Sequence, residues 1–469
     1  MSVILINPSL GEPAAARICT PPLGLAYLSA SLKKEGIDAR VLDADALGLS
    51  VSETVDEVAN SGARVAGVTA MTPTADSAYQ LMSALREAVD FLVIGGAHAS
   101  ALGHEIFDDC PVELDAAVIG EAEETFPVFC ESILSGRLPS PGEIPGVLLP
   151  GGHSESVVWP RVEDIDSLPL PDRSGLPGHL YRHPLFGNEM VTTLITSRGC
   201  PYRCVFCDKH VCGKKWRSRS VESVLYEIEG IALKNEVRSI IIYDDLFTLN
   251  RDRTMEICEG IIRRDLRIKW KCEGRVNRVD PEMLSAMKRA GCEMVAYGVE
   301  TVHEKSLQFL KKDITPEQTR EAFTMTRKAG IQTLGYFMLG IPGETIEDEL
   351  ETARFAVDLK ADYAQFGVLS PFPGTDLYET ARERGWIRQA KARGPAEIGS
   401  RRPLIMDGYW DLERIDRVTR DAHRIFYFRP GYVWGRLTKL KSPGALKAAF
   451  LQAAGLAGWW LKSSTTRDA

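Results

Sequence analysis

The sequence contains no long hydrophobic run, no excess of positive charge and no regular spacing of cysteines. No stretch of about 18 or more apolar residues occurs among its 469 residues, so we predict no membrane-spanning helix. The formal net charge of −8 disfavours general nucleic-acid binding, which usually needs a basic surface. Ten scattered cysteines do not resemble a disulfide framework, so a reducing, cytoplasmic location is expected.

Two common nucleotide-binding motifs and a secretion signal are also missing. No G-x-G-x-x-G follows the first predicted strand and no Walker A sequence occurs, which disfavours a dinucleotide site or a P-loop. Residues 1–8 have no basic segment and are predicted to form a first strand, not a signal peptide. The chain is too long for one ordinary core, so two or three domains are predicted.

Residues 1–140 alternate short apolar strands with amphipathic helices, a pattern typical of a doubly wound parallel α/β sheet. Ligands of such sheets bind beyond the carboxyl ends of the strands. Glycines that follow strands can also serve only to form tight turns, and this is by itself the simpler explanation for them. The predicted strands are 3–6, 39–42, 65–69, 91–94 and 116–119. The candidate contacts at their ends are Thr69, Thr72, Gly95, Gly96, Gly120 and Glu121.

Three further regions follow the first domain. Residues 141–190 are rich in proline and predict an ordered linker between domains. Residues 191–395 contain six strand–helix units, which predict a partial (β/α)6 barrel, and residues 396–469 are predicted to be mainly helical and to cover it. The predicted barrel strands are 191–195, 239–243, 268–272, 294–299, 333–339 and 363–369.

Charged and polar residues follow the barrel strands at the end where catalytic residues of such barrels lie. Each one alone is explained by a helix cap or a solvated loop. Together on one rim, they are better explained as a cradle for a zwitterionic ligand. These residues are Asp244, Asp245, Arg275, Asn277 and Glu300.

Three cysteines follow the first barrel strand in a C-x3-C-x2-C pattern. They are Cys200, Cys204 and Cys207. Thiolates suit iron–sulfur clusters or zinc, and three of them can hold a [4Fe–4S] cluster whose fourth iron stays free to bind a small molecule. A zinc site would need a fourth ligand, for which His210 and Cys212 are the nearby candidates, and usually comes with a second cysteine pair.

This loop resembles the signature of the radical S-adenosylmethionine (SAM) enzymes, C-x3-C-x-aromatic-C, at every specified position. The resemblance implies that the open iron binds the amino and carboxylate groups of SAM. It also implies that an electron, from a donor such as flavodoxin or ferredoxin, cleaves SAM to methionine and a 5′-deoxyadenosyl radical. Phe206 would lie against the adenine, and residues 340–344 match a turn near it.

The resemblance extends to the polar rim of the barrel. Asp244 and Asp245 occupy the place where radical SAM enzymes contact the SAM amino group. Arg275 and Glu300 match positions that hold the carboxylate, ribose or amino group, and Asn277 belongs to the same rim.

Three segments of the first domain, residues 21–28, 95–98 and 120–126, resemble the cobalamin-binding domain of one class of radical SAM enzymes. The resemblance implies cobalamin as a further cofactor. The D-x-H-x-x-G segment, whose histidine binds cobalt in other B12 proteins, does not occur, and His98 and His104 lie in the wrong place for it. Cobalamin would then bind without a protein histidine, or the domain has lost the cofactor.

The family resemblance implies a cobalamin-dependent radical SAM methyltransferase that acts on an unactivated carbon of a small-molecule intermediate. A cyclase or ring-rearranging enzyme for a tetrapyrrole, lipid or natural product would use the same cofactors. A methylthiotransferase is disfavoured because Cys19, Cys110 and Cys130 do not form a second cluster set. A cobalamin carrier or sensor with a structural cluster is the alternative of another class. The apolar tail, with Trp459 and Trp460, is predicted to pack on the protein, with peripheral membrane contact as the alternative.

Overall fold

The computed structural model describes residues 2–10, 19–152, 157–233, 237–390 and 402–437. The first part contains a sheet of five parallel strands in the order β2–β1–β3–β4–β5, with β6 antiparallel at the β5 edge. Its strands are β1 (Val3–Asn7), β2 (Ala39–Asp43), β3 (Val65–Thr69), β4 (Phe91–Gly95), β5 (Ala116–Val118) and β6 (Val147–Leu148). Its helices are α1 (Leu23–Lys34), α2 (Ala44–Leu47), α3 (Val51–Ser61), α4 (Ala75–Leu85), α5 (Ala97–Leu102), α6 (Ile106–Asp109) and α7 (Thr125–Leu134).

All five strands predicted for the first domain are confirmed. They are short apolar runs because helices cover both faces of the sheet. Successive side chains of each strand point to opposite faces, and both sets are buried. The strand order reverses between β1 and β3, where an open α/β sheet forms its ligand crevice. Strand β6 lies within the predicted linker, because Val147 and Leu148 are buried beside β5. The first sheet therefore extends beyond residue 140.

The second sheet is the predicted partial barrel, with six parallel strands that neighbour one another in chain order and one short antiparallel strand at its edge. Its strands are β7 (Arg182–His183), β8 (Glu189–Leu194), β11 (Ser239–Ile242), β12 (Lys269–Gly274), β13 (Cys292–Glu300), β14 (Gln332–Leu339) and β15 (Tyr363–Val368); β9 (Ser197–Arg198) and β10 (Arg217–Ser218) form a separate ribbon. Its helices are α8 (Val221–Leu233), α9 (Arg251–Arg263), α10 (Pro281–Arg289), α11 (Glu304–Phe309), α12 (Pro316–Lys328), α13 (Ile346–Asp358) and α14 (Asp376–Glu383).

The alternation of side chains along each barrel strand separates an apolar outer face from a more polar inner face. On β12, Trp270 and Cys272 join the main core beneath the helices. Lys271 and Glu273 alternate with them and therefore lie on the inner face. Tyr336 of β14 donates a hydrogen bond to Glu273 Oε1 at 3.2 Å, across the intervening strand. The inside of the barrel is thus lined by groups that can contact a polar ligand.

The last described part closes one edge of the barrel. A ribbon of β16 (Ile387–Ala390) and β17 (Arg402–Ile405) precedes helices α15 (Leu412–Tyr427) and α16 (Pro430–Leu437). The Tyr427 hydroxyl donates to the Ala364 carbonyl at 2.6 Å. This gives a backbone acceptor of the edge strand β15 a hydrogen-bond partner. The ribbon is an addition to the predicted helical cover. Trp459 and Trp460 lie outside the described residues, and no helix within those residues is long and apolar enough to cross a bilayer.

Candidate active site

The loop that carries the three cysteines, residues 199–216, is closed at its base by the β9–β10 ribbon. Arg198 pairs with Arg217 directly before the loop begins and directly after it ends. Gly199 has a φ of +84°, and a Cβ there would overlap the carbonyl oxygen of Lys215 and lie 3.0 Å from that of Cys212. Glycine is therefore required immediately before Cys200 for the two sides of the loop to approach.

The middle of this cysteine loop is attached to the barrel at two points. The Val205 N–H donates to the Leu310 carbonyl at 3.1 Å, and the Val205 carbonyl accepts from the Leu377 N–H at 2.9 Å. The Tyr202 ring lies beneath the Arg275 guanidinium, 3.7 Å from its carbon to the ring centroid. These contacts hold the loop over the carboxyl ends of the barrel strands.

Of the three cysteines, Cys200 and Cys204 are half-buried and Cys207 is exposed. Although Cys207 is open to solvent on one side, desolvation by the surrounding protein raises the pKa of its thiol to about 12. Desolvation also raises the pKa of the Cys200 thiol, and the Asp245 carboxylate adds to the effect. Bound iron would have to displace these protons, as metals do when thiols coordinate them.

The donor set of the loop fits an iron–sulfur cluster by its chemistry, since three soft ligands share one short segment. Across the described ranges, no three His, Cys, Asp or Glu side chains converge closely enough to hold a metal ion. The alternative fourth zinc ligand His210 has its Nδ1 2.5 Å from Asp208 Oδ1, so it could coordinate a metal only through Nε2. The fit therefore rests on the type and spacing of the thiols.

Asp244 and Asp245 have different environments although they are adjacent at the end of β11. The buried Asp244 carboxylate accepts from the Thr196 N–H at 2.6 Å, the Thr196 hydroxyl at 2.5 Å and the Ser197 hydroxyl at 2.6 Å. It thereby holds the start of the cysteine loop, a role that the sequence did not indicate. Asp245 is exposed near the loop, and desolvation followed by repulsion from Asp244 raises its pKa.

Residues 310–313 form a loop that gathers several of the predicted contacts. Arg275 donates to the carbonyls of Lys312 and Asp313 and, through Nε, to Asn277 Oδ1 at 3.0 Å. Asn277 Nδ2 also donates to the Asp313 carbonyl, at 3.3 Å. These two predicted site residues therefore support the 310–313 loop, and Arg275 also stacks on Tyr202.

Glu300, Phe206 and Lys312 meet on the other side of that loop. Lys312 Nζ lies 2.5 Å from Glu300 Oε1 and 5.8 Å from the centroid of the Phe206 ring. Gly298 leaves the space for this ion pair, since a Cβ there would overlap Lys312 Nζ. Sequence reasoning missed Lys312, which follows a helix and belongs to no recognised motif.

Backbone strain is concentrated at the same place. Glu300 has a φ of +67° at an irregularity in the β13–β14 pairing, and Lys311 and Asp313 have φ values of +50°. Non-glycine residues in this region are uncommon and tend to cluster at functional sites, where surrounding contacts maintain them. The strain adds to the reasons for regarding this corner as a binding site.

The turn at residues 340–344 is fixed by three hydrogen bonds to buried side chains. Glu349 Oε1 accepts from the N–H groups of Gly340 at 2.5 Å and Ile341 at 2.9 Å, and Trp410 Nε1 donates to the Ile341 carbonyl at 3.0 Å. The Ile341 side chain belongs to the hydrophobic cluster against which Phe206 packs. The two elements that the sequence assigned to the adenine are thus brought into one cluster.

Glu349 is expected to make stability fall as pH rises. Burial raises the pKa of its carboxyl well above the ordinary 4.5, and the neighbouring Glu344 adds to the effect. Because the folded protein holds this proton more tightly than the unfolded chain, the free energy of unfolding decreases as pH rises above 4.5 through the folded-state pKa. Glu349→Gln, which keeps an acceptor oxygen, should flatten this dependence in thermal unfolding. Glu347→Gln, exposed on the same helix, should not, and equal slopes for parent and Glu349→Gln would contradict the prediction.

Gly199→Ala is expected to lower both cluster loading and stability. A left-handed backbone costs an alanine about 1–2 kcal/mol before the overlap with Lys215 is added. Gly230→Ala is the control, because its Cβ meets open space within α8 and is expected to add up to about 1 kcal/mol of stability. Iron content after anaerobic reconstitution and the unfolding midpoint are the measurements. Equal iron content in Gly199→Ala and the parent would contradict the loop-closure argument.

The carboxyl edge of the first sheet presents a surface on which a flat ligand can lie. Thr69 and Gly95 pair in register at the ends of β3 and β4. Gly96 has a φ of +95°, and a Cβ there would lie 2.7 Å from Thr69 Oγ1 and from the Ala70 carbonyl oxygen. Met71 is 58% exposed beside them, although it is large and apolar. Backbone without side chains next to an exposed apolar group fits the broad ring of cobalamin.

His98, two residues after Gly96 at this edge, is not free to bind cobalt. His98 is buried, its Nδ1 lies 3.1 Å from the Thr72 hydroxyl, and its Nε2 lies 2.9 Å from the Tyr79 hydroxyl and 3.3 Å from Asp109 Oδ2. Both ring nitrogens therefore have protein partners. The Thr72 hydroxyl is engaged in the same network.

The last two candidates at this edge have other partners. Gly120 has a φ of +72° and packs against the linker, since a Cβ there would lie 2.8 Å from the Pro160 carbonyl oxygen. Glu121 is buried and accepts from the Val162 N–H at 2.7 Å and from Arg217 through both oxygens, at 2.8 and 2.6 Å. The structure thus gives Glu121 a role between domains that the predicted ligand contact did not include.

Two family models match the chain. Residues 194–356 match the radical SAM superfamily and residues 14–129 match the B12 binding domain. The chain is 33% identical over 443 residues to an uncharacterized methyltransferase, PH0819, of Pyrococcus horikoshii, covering 92% of this chain and 93% of the relative. It is 28% identical over 390 residues to the anaerobic magnesium-protoporphyrin IX monomethyl ester cyclase of Rubrivivax gelatinosus, covering 81% and 70%.

A solved structure shares the whole architecture. It is the radical SAM methyltransferase TsrM of Kitasatospora setae, with cobalamin and a [4Fe–4S] cluster bound. The TM-score is 0.73 at 20% sequence identity, over 92% of this chain and 90% of that one. The likeness supports the two-domain fold described above.

Proposed function

Since the chain belongs to the radical SAM superfamily and carries a B12-binding domain, we propose that it methylates an unactivated carbon of a small-molecule intermediate. Its cofactors are a [4Fe–4S] cluster, SAM and cobalamin. When bound, the cluster and SAM supply a 5′-deoxyadenosyl radical that removes hydrogen from the acceptor, and cobalamin supplies the methyl group. An electron donor such as flavodoxin or ferredoxin is part of this proposal.

We assign the cluster to Cys200, Cys204 and Cys207, and the SAM site to the adjoining corner of the barrel. One observation carries this assignment: Phe206 packs in the same cluster as Ile341 of the 340–344 turn, next to the Glu300–Lys312 ion pair. An aromatic ring, an apolar side chain and a charged pair suit an adenine with its ribose. Asp245 is exposed beside the cysteine loop, whereas the Asp244 carboxylate already accepts three hydrogen bonds, so Asp245 is the better candidate for the SAM amino group.

The first domain is proposed to hold cobalamin over Thr69, Met71, Gly95 and Gly96. Because His98 has partners at both ring nitrogens, it would not offer its imidazole to cobalt. The acceptor would then lie between this edge and the barrel mouth, where Glu273 and Tyr336 line the inner face. These groups would orient the acceptor by hydrogen bonds, and the walls of the two domains would exclude water.

The ratio of two products tests the proposed function. Anaerobic protein reconstituted with iron, sulfide and cobalamin would receive SAM, a reductant and a small-molecule extract of the source cells. Continuing, comparable formation of S-adenosylhomocysteine and 5′-deoxyadenosine is expected, and methyl-labelled SAM would mark the product. Formation of 5′-deoxyadenosine without S-adenosylhomocysteine would overturn methyl transfer. It would favour instead the second candidate function, a cyclase. The similarity to the Rubrivivax gelatinosus cyclase is the observation that supports this candidate.

A further inference from the structure

Four buried charged side chains join the first domain to the base of the cysteine loop. Arg217 Nη2 donates to Glu121 Oε1 at 2.6 Å and Arg217 Nη1 donates to Glu121 Oε2 at 2.8 Å, so the ion pair is bidentate. Arg198 Nη2 donates to Glu123 Oε1 at 2.7 Å, and its Nη1 lies 3.6 Å from Glu121 Oε2. All four side chains are less than one tenth exposed. We call this set the Glu–Arg clamp.

The clamp connects the ligand edge of the first sheet, the linker and the base of the cysteine loop. Its carboxylates come from the loop after β5, at the same sheet edge as Gly95 and Gly96. Its guanidinium groups come from β9 and β10, the strands that close the cysteine loop on either side. Glu121 also accepts from the Val162 N–H of the linker, and Arg217 donates to the Cys212 carbonyl within the cysteine loop at 2.9 Å.

Stability alone does not account for such an arrangement. Burying two carboxylates and two guanidinium groups carries a desolvation penalty, and well-packed apolar residues are often equally stable in such places. A bidentate arginine–carboxylate ion pair, in contrast, fixes the relative orientation of the two segments to which the side chains belong. The clamp is electrically balanced, because two carboxylates face two guanidinium groups.

We propose that Glu121, Glu123, Arg198 and Arg217 are positioning residues that set the place of the cysteine loop relative to the ligand edge of the first domain. This inference rests on the proposed function, because both cofactors must face one acceptor. Glu121 acts through Arg217 and the loop base, with both its oxygens already engaged. When the clamp is weakened, the cysteine loop is no longer held in place relative to the first domain. SAM cleavage then continues, while methyl transfer to the acceptor falls.

The test compares Glu121→Gln with the parent and with Asp115→Asn. Asp115 accepts from Arg86 at 2.6 Å inside the first domain and touches no part of the cysteine loop, so it controls for loss of an ion pair. In protein without cofactors, hydrogen exchange of peptides from residues 199–217 should become about tenfold faster in Glu121→Gln and stay unchanged in Asp115→Asn. Unchanged exchange in Glu121→Gln would overturn the proposal.

The second readout is the ratio of products in the reconstituted enzyme. Glu121→Gln should keep 5′-deoxyadenosine formation within about threefold of the parent and lose about tenfold or more of the methylated product. An equal fall of both products would mean a general structural role and would overturn positioning. If the parent forms no methylated product, the proposed function fails, and the exchange experiment still decides whether the clamp holds the loop. Should Glu121→Gln not fold, Glu123→Gln, which loses a single contact, takes its place in both arms.

Discussion

Replacing Cys204 with alanine is expected to abolish the visible absorbance of the cluster and to bring 5′-deoxyadenosine formation below detection. Two thiolates cannot replace three in holding a cube with one open iron, and no other thiol of the loop lies at the required spacing. The first domain has its own sheet and core, so its circular dichroism and its unfolding transition should persist. Cleavage of SAM by Cys204→Ala would contradict the cluster assignment.

Cys212→Ala is the matched control for this experiment. Cys212 lies in the same loop and is half-buried, and Arg217 donates a hydrogen bond to its backbone carbonyl, which the substitution keeps. The variant should therefore retain both absorbance and SAM cleavage. Loss of the cluster in Cys212→Ala would indicate a fourth protein ligand, as in a zinc site.

Asp244→Ala is expected to cost about 3–5 kcal/mol of local stability and most of the cluster. The substitution leaves one backbone N–H and two hydroxyl groups buried without their acceptor, and each unsatisfied group costs about 1–3 kcal/mol. These donors belong to Thr196 and Ser197, so the damage falls on the entry to the cysteine loop. A lowered unfolding midpoint and a lowered iron content are the measurements.

Asp245→Ala separates this structural role from ligand binding. Asp245 is exposed, so its removal should change stability by no more than about 0.5 kcal/mol. If it contacts the SAM amino group, the variant should load the cluster normally and bind SAM at least about tenfold more weakly, as equilibrium dialysis would measure. Equal stability losses in Asp244→Ala and Asp245→Ala would contradict the division of roles.

Most of the fold could be predicted from local patterns. The five strands of the first sheet and the six parallel strands of the barrel are apolar runs between turns, and helices such as α10 and α12 begin at Asp-Pro and Thr-Pro pairs that cap them. Strand β6 escaped prediction because a strand of two residues has no period to detect. Its existence depends on the open edge of β5, which only the assembled sheet provides.

The candidate site was predictable in its chemistry and less so in its partners. The three cysteines were predicted from the residue type and spacing of their thiols, and Glu300 from its place on the polar rim of the barrel. Phe206 and the 340–344 turn were predicted only from the resemblance to radical SAM enzymes. Lys312 was not, since it becomes part of the site only through the left-handed backbone of residues 311 and 313 and the gap left by Gly298.

The sequence by itself determined the chemical class of this protein, because three soft thiol ligands lie within one short loop and their spacing matches the radical SAM signature. Only the tertiary structure decided what each charged residue does. Asp244 and Asp245 are neighbours in the chain, yet Asp244 is buried and holds the cysteine loop while Asp245 is exposed beside it. Glu121 occupies a ligand edge by its sequence position and binds Arg217, distant in the chain, in the folded protein. A charge is neutralised by whichever partner the fold brings to it in a desolvated interior, and that partner cannot be found from either residue alone.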